Sequence, residues 1–456
     1  MSDAPWAGRR LHFIGIGGAG MSGLALVARG LGARVTGSDR ADSPYCGRLR
    51  EAGIEPEIGH HAGHLTAGAE VVISTAIGED NPELAAARSL GHRVLHRGEL
   101  LAEVARMKRC LAVAGTHGKT TTASMIAHVL VACGRRPAYL IGGEVRSTGA
   151  NASWGQGEWV VVEADESDRS FLGLAPEVAV VTNVELDHHA TYRSLQELER
   201  AFAEFSGAVP VLVMPVGLEL PGVPPSVTFG IDAGGLAGRE VELLPLGSRF
   251  RADGVEVRLE VPGRHNVLNA LAALAACREA GVALDESAPA LASFTGAGRR
   301  FESHGRTSSG ALVFDDYAHH PTEVRATLEA ARGTGARRVV ACFQPHLYSR
   351  TKHLARAFGK ALALADVVVV LDVYAARERA DDYPGVSGWL VATAAGDGAH
   401  GRPVYWLPHM DDAERFLRSE LSDGDLLLTI GAGDVDTLAR RLGHAGLPAP
   451  APEGAP

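Results

Sequence analysis

The apolar positions of this chain fall into short runs, each closed by glycine or an acidic residue and followed by a longer mixed stretch. Residues 11–16 predict a strand, 17–20 a turn and 21–31 a helix, and 34–38 and 71–75 predict two further strands. The pattern restarts at 111–114, again as strand, glycine turn and helix. It continues through the strands WVVVEAD at 159–165 and VAVVTNV at 178–184. Between 211 and 261 the runs shorten and alternate among Pro and Gly, as in VRLEV at 257–261, which predicts an antiparallel flap before a helix over 267–280. Four apolar segments, 311–321, 337–343, 366–374 and 425–434, then alternate with helical stretches.

Strands alternating with helices imply parallel sheets. The expected fold is therefore α/β with three domains: an N-terminal Rossmann-like parallel sheet over 1–107, a central P-loop ATPase-like sheet with a small antiparallel flap over 108–306, and a C-terminal Rossmann-like parallel sheet over 307–445. The Pro/Ala-rich residues 446–456 predict a disordered tail. With 456 residues, each domain is large enough for its own core. A net charge of −10 argues against nucleic acid as a partner. Cys46, Cys110, Cys133, Cys277 and Cys342 show no CxxC spacing and predict free thiols in a reducing compartment. No apolar run approaches the roughly 18 residues of a membrane span, and no secretory core precedes the first strand, so a cytoplasmic protein without integral membrane contact is expected.

Two glycine loops carry candidate chemistry. Gly115, Thr116, His117, Gly118, Lys119, Thr120 and Thr121 lie between a strand and a helix, where backbone N–H groups and the helix N-terminus cradle phosphate. Lys119 would reach the outer phosphates, and a threonine hydroxyl such as that of Thr120 would ligate Mg²⁺. Only four lysines stand among the basic residues, and Val113 replaces the first glycine of the general P-loop pattern. In the first loop Gly15, Gly17 and Gly20 fit GxGxxG, with Asp39 about 20 residues on where a ribose-binding acid sits. Gly18, Met21, Ser22, Ser38 and Ser74 complete that candidate set. NAD and a UDP-sugar present the same pyrophosphate problem, and the glycines leave both open.

Acidic and basic groups gather at later strand ends. Glu163, Asp165, Glu166 and Asp168 leave one strand, and Asn183, Glu185, Asp187, His188 and His189 leave the next. Glu163 follows three valines, so burial demands a metal or cationic partner, whereas Glu166 and Asp168 read equally well as loop or capping residues. His265, Asn266 and Asn269 open a helix, and asparagine amides suit adenine edges. Arg299 and Arg300 stand at a domain junction, where contact with a γ-phosphate would couple domain closure to ATP. DDYAHHPTE at 315–323 brings Tyr317, His319 and His320 out of a buried strand, and FQPHLYSRT at 343–351 supplies His346 and Arg350, the latter suited to a carboxylate.

Taken in order over residues 9–442, these segments resemble the Mur ligase family, and within it the alanine-adding branch: GIGGAGMSGLA, GTHGKTTT, EADESD, TNVELDHH, HNxxN, GRRFE, DDYAHHPTE and FQPH. The resemblance implies ATP and Mg²⁺ as cofactors, UDP-N-acetylmuramate and L-alanine as small-molecule substrates joined through an acyl phosphate, and a monomer or homodimer. It implies catalytic roles for Lys119, His188, Arg299 and Arg300, metal ligation by Thr120, Glu163 and His188, an adenine contact from Asn269, and an alanine pocket of Tyr317, His319, His346 and Arg350. Later-step members carry a carbamylated lysine after TNxxxDH, and this chain has no lysine between Lys119 and Lys352. Some relatives place a basic residue where Leu347 stands. A tripeptide-recycling member shares most of these motifs, and a P-loop small-molecule kinase would share the central block alone.

Overall fold

A computed structural model describes residues 4–188 and 191–444. His189 and the proposed tail at 446–456 lie outside the described residues. Three sheets follow one another along the chain. The first is wholly parallel, with strands Glu57–Ile58, Arg34–Asp39, Arg10–Ile14, Glu70–Ile73 and Val94–His96 side by side. Its glycine loop leaves Arg10–Ile14 at the centre and enters the helix Ala19–Gly30.

The central sheet has ten strands, with Arg109–Ala114 between Val178–Val181 and Trp159–Glu163, all three parallel. Side chains alternate across it. Leu111 and Val113 enter the core on one face, and Cys110, Ala112 and Ala114 the core on the other, as a period of two requires. The antiparallel part is narrower than the 211–261 pattern implied: Val211–Pro215 is parallel to its neighbours, and only Leu236–Leu244, Gly247–Ala252 and Val255–Leu259 form an antiparallel meander. A second antiparallel pair, Ala138–Val145 with Ala150–Ser153, closes the opposite edge.

The third sheet is parallel except at one edge, where Glu302–Arg306 pairs antiparallel with Leu312–Asp316. Residues 302–306, which the sequence pattern places at the end of the central domain, thus pair with the third sheet. Among the described residues no helix is long and apolar enough to cross a membrane.

Because parallel strands expose their carboxyl ends on one side, the loops that follow them gather along the sheet edges. One apolar cluster runs without a break from Leu11, Phe13 and Leu24 of the first sheet to Ala112, Leu140 and Val162 of the second, fixing the two glycine loops relative to each other. The third sheet keeps separate cores on its two faces.

Candidate active site

The central loop wraps around its own lysine. Gly115 and Gly118 have φ of +133° and +80°, a conformation that favours glycine, and a Cβ on Gly118 would lie 2.6 Å from Asn269 Oδ1. Helix Lys119–Ala132 starts there, leaving its first N–H groups free of intrahelical bonds and facing the loop. Lys119 Nζ donates to the Gly115 and Thr116 carbonyls at 2.5 and 3.2 Å and pairs with Glu166 at 2.8 Å. Burial alone would lower the lysine pKa, but Glu166 and Asp165 outweigh it, so the ammonium stays charged. The hydroxyl of Thr116 is engaged by the Glu185 backbone and that of Thr120 by Glu163.

Thr120 Oγ1 lies 2.9 and 3.0 Å from the two oxygens of Glu163, and the Gly142 N–H holds that carboxylate at 2.7 Å. A Cβ on Gly142 would come within 2.9 Å of it. A hydroxyl and a carboxylate in a fixed cradle are hard oxygen donors that fit Mg²⁺. His188, at φ +54°, points its Nε2 to Glu166 Oε1 at 3.4 Å. Glu166 is thus fully buried between Lys119 and His188. The sequence reads it equally well as a loop or capping residue, because its partners, 47 and 22 positions away, leave no local signal.

The adjacent arginines part ways. Arg299, at φ +56°, bonds Asp315 at 2.9 Å and the carbonyls of Gly433 and Gly431 at 2.9 and 2.7 Å, so it braces the third sheet instead of facing a phosphate. Arg300 reaches out, with Nη2 3.5 Å from Thr120 Oγ1 and its guanidinium over the Tyr317 ring. Two further candidates also find partners within the chain. Arg350 was assigned to an amino-acid carboxylate, but it grips Asp187 at 3.2 and 3.1 Å in a buried pair across two domains. Asn266 donates to the Pro262 carbonyl and accepts from Asn269, which leaves Asn269 as the amide beside the loop.

A cleft of about 230 Å³ runs from His117, Gly118 and Thr121 past His265 and Asn269 to Phe229, Arg300 and Glu323. Beyond it Tyr317, His319, His346 and Tyr374 form a wall of rings, successive centroids 5.5, 6.3 and 5.8 Å apart. Burial holds the His319 and His346 pKa values down at about 4 and about 3, so both imidazoles are neutral. Leu347, at φ +70°, is buried at the start of helix Tyr348–Leu362. Tyr374 and Glu323 were missed: nothing in the local pattern marks Tyr374, and Glu323 reads as the capping partner of His320, which it also is.

In the first loop the Gly17 N–H donates to Asp39 Oδ2 at 2.8 Å, and Ser43 Oγ donates to the Gly17 carbonyl at 3.0 Å. Gly15, at φ +81°, lies beneath Ile77, which follows Ser74 at the neighbouring strand exit. Gly18 caps the helix, and Gly20 and Met21 offer first-turn N–H groups. Two serines of the candidate set have internal partners. The Ser22 hydroxyl bonds the Ala19 carbonyl beside Asn151, and the buried Ser38 hydroxyl donates to Glu83 at 2.5 Å.

Arg97 stands near Gly20 and holds Asp165 and Asp168 at 2.6 and 3.0 Å, tying the first loop to the central strand exits.

Three family domains match in collinear order: the Mur ligase family catalytic domain over residues 10–109, the middle domain over 113–277 and the glutamate ligase domain over 299–433. The chain is 47% identical to the UDP-N-acetylmuramate–L-alanine ligase of Streptomyces coelicolor, over 96% of its own length and 98% of that relative. The chain belongs to the Mur ligase family. Among solved Mur ligases it resembles the UDP-N-acetylmuramate–alanine ligase of Thermotoga maritima, with TM-score 0.83 and 32% identity over 95% of this chain and 98% of that one. It also resembles a murein peptide ligase of Psychrobacter arcticus, with TM-score 0.74 and 26% identity over 95% and 98%.

Proposed function

We propose that this Mur ligase joins L-alanine to the lactyl carboxylate of UDP-N-acetylmuramate, converting ATP to ADP and phosphate in the synthesis of a peptidoglycan precursor in the cytoplasm. The observation that carries the reading is Arg300. It lies within 3.5 Å of the phosphate-loop hydroxyl of Thr120 and against Tyr317 of the ring wall, so the phosphate end and the amino-acid end share one cation. Full-length similarity to alanine-adding relatives supports it.

A carboxylate is a poor electrophile, so it first takes the γ-phosphoryl group to give an acyl phosphate, whose carbonyl the amine then attacks. Lys119 and Arg300 neutralise charge on the transferring group. Thr120, Glu163 and His188 would hold Mg²⁺, which would add to the neutralisation of the phosphates. The Gly15–Gly20 loop and Asp39 hold the UDP portion, Asn269 the adenine, and the rings of Tyr317, His319 and His346 the alanine. The cleft between the sheets keeps water from the acyl phosphate.

One assay tests this: purified chain, ATP, Mg²⁺ and UDP-N-acetylmuramate with L-alanine, glycine, L-serine or tripeptide, reading product masses. An adduct that requires L-alanine supports the proposal. An adduct with tripeptide alone identifies the recycling ligase, and phosphate release without any amino acid identifies a kinase or ATPase.

A further inference from the structure

One cluster at the phosphate loop joins the central domain to the third. His117 and Glu185 come from the central domain, His320 and Glu323 from the first turn of helix Pro321–Arg332. His117 Nε2 lies 3.3 Å from Glu185 Oε2, His320 Nδ1 lies 3.8 Å from the same oxygen, and the two imidazoles stack with centroids 4.5 Å apart. One donor atom from each of His117, Glu185 and His320 falls within 4.8 Å of the others.

The electrostatics ask for a cation there. His320 Nδ1 lies 3.8 Å from the Glu185 carboxylate, another acceptor, and its lone pair is met by the Thr322 N–H at a long 3.4 Å. Burial keeps His320 neutral near pH 7, its pKa held down at about 4. His117 lies between two carboxylates, with Nε2 toward Glu185 and Nδ1 3.5 Å from Glu323. Burial alone would lower its pKa, but Glu185 and Glu323 push it up to about 9, so a proton now supplies the positive charge.

We propose that His117, Glu185 and His320 bind a borderline divalent transition ion of the Zn²⁺ class, at a site sharing no residue with Thr120, Glu163 and His188. Two imidazoles and one carboxylate are a donor set such ions prefer and Mg²⁺ does not. A tetrahedral ion with bonds of about 2.0–2.1 Å holds its donors roughly 3.4 Å apart, so the 3.3 Å pair already fits, and His320 Nδ1 must turn from the Thr322 N–H, held at 3.4 Å, toward the ion. The supporting bonds are in place. Glu323 faces His117 Nδ1, the carboxylate–histidine arrangement that orients a metal-bound imidazole, and the Thr322 hydroxyl donates to Glu185 at 2.6 Å. Because its ligands come from two domains, the ion clamps the third sheet onto the phosphate loop.

The test uses the full chain, stripped by chelator and free of nucleotide, in excess Mg²⁺, titrated with Zn²⁺ against a chromogenic chelator. One Zn²⁺ is expected to bind, with affinity reduced at least tenfold in both Glu185→Gln and His320→Asn. The asparagine keeps a capping acceptor for the Thr322 N–H, so the helix survives, and circular dichroism verifies both folds. Glu323→Gln, which removes the orienting charge and keeps a side-chain oxygen to accept the His320 N–H, is expected to weaken binding about tenfold. Failure to bind Zn²⁺, or equal binding in Glu185→Gln and His320→Asn, overturns the site.

Discussion

The two glycine loops share one plan, strand to turn to helix, and are held in opposite ways. The loop at Gly15–Gly20 is braced mainly by its own domain: Asp39 takes the Gly17 N–H, Ser43 the Gly17 carbonyl, and Glu83 anchors Ser38 beneath, with one bond, from Asn151 to the Ala19 carbonyl, reaching in from the central domain. The loop at Gly115–Thr121 is gripped by charges from three other places. Glu163 and Glu166 come from one strand exit, Glu185 from another, and Glu323 with Arg300 from the third domain and its junction. A loop that only holds a nucleotide can be self-contained. A loop at which charge moves must have its counter-charges set beforehand by elements that do not move with it.

The contrast can be broken at several points. The largest effect is expected from Lys119→Ala: turnover should fall about 10³-fold, on the order of 4 kcal/mol, with UDP-substrate affinity unchanged. Loss of UDP-substrate binding in calorimetry would contradict the division of labour.

Next comes the buried anchor of the first loop. Burial alone would raise the Glu83 pKa, but the nearby His12 imidazole and hydrogen bonds from Ser38 and His64 hold it down at about 2, below the ordinary 4.5. A depressed carboxylate adds stability above its unfolded pKa and loses it as pH falls through the folded value. Wild type should therefore exceed Glu83→Gln by about 3 kcal/mol at pH 7 but only about 1 kcal/mol at pH 3. Urea unfolding at the two pH values checks this, and an equal gap at both sinks it.

The arginine pair follows, at roughly 2–3 kcal/mol each but in different measurements. Arg300→Ala should slow turnover about 30–100-fold with little change in melting. Arg299→Ala should lower unfolding free energy by stranding buried Asp315. Interchanged phenotypes would reverse their assignment.

The smallest effect is expected at Asp39→Ala: KM for the UDP substrate up about tenfold, near 1.4 kcal/mol, and kcat unchanged. A fall in kcat with constant KM would show that the first loop does more than hold.

What the sequence could and could not reveal follows the same division. Lys119, Thr120 and Glu163 were legible because strand, glycine turn and helix are local, and because a carboxylate after three valines announces a partner. The parallel sheets were legible from alternation for the same reason. Arg299 and Arg300 are identical signals one residue apart, and only the left-handed backbone at Arg299 turns one inward and the other outward. Arg350 carries the right chemistry for a carboxylate and finds one, Asp187, on its own chain. Glu166, Glu323 and Arg97 act through partners in other strands or domains, and no spacing rule reaches that far.

The unbroken apolar seam from Leu11 and Phe13 to Ala112 and Val162 makes the first two sheets one mechanical body, whereas the third owns both of its cores. Any large rotation during turnover therefore belongs to the third sheet, swinging about residues 299–301, where Arg299 and Phe301 already hold positive φ. A rotation there would part the ring wall of Tyr317, His319 and His346 from the phosphate loop while the two glycine loops stayed fixed to each other.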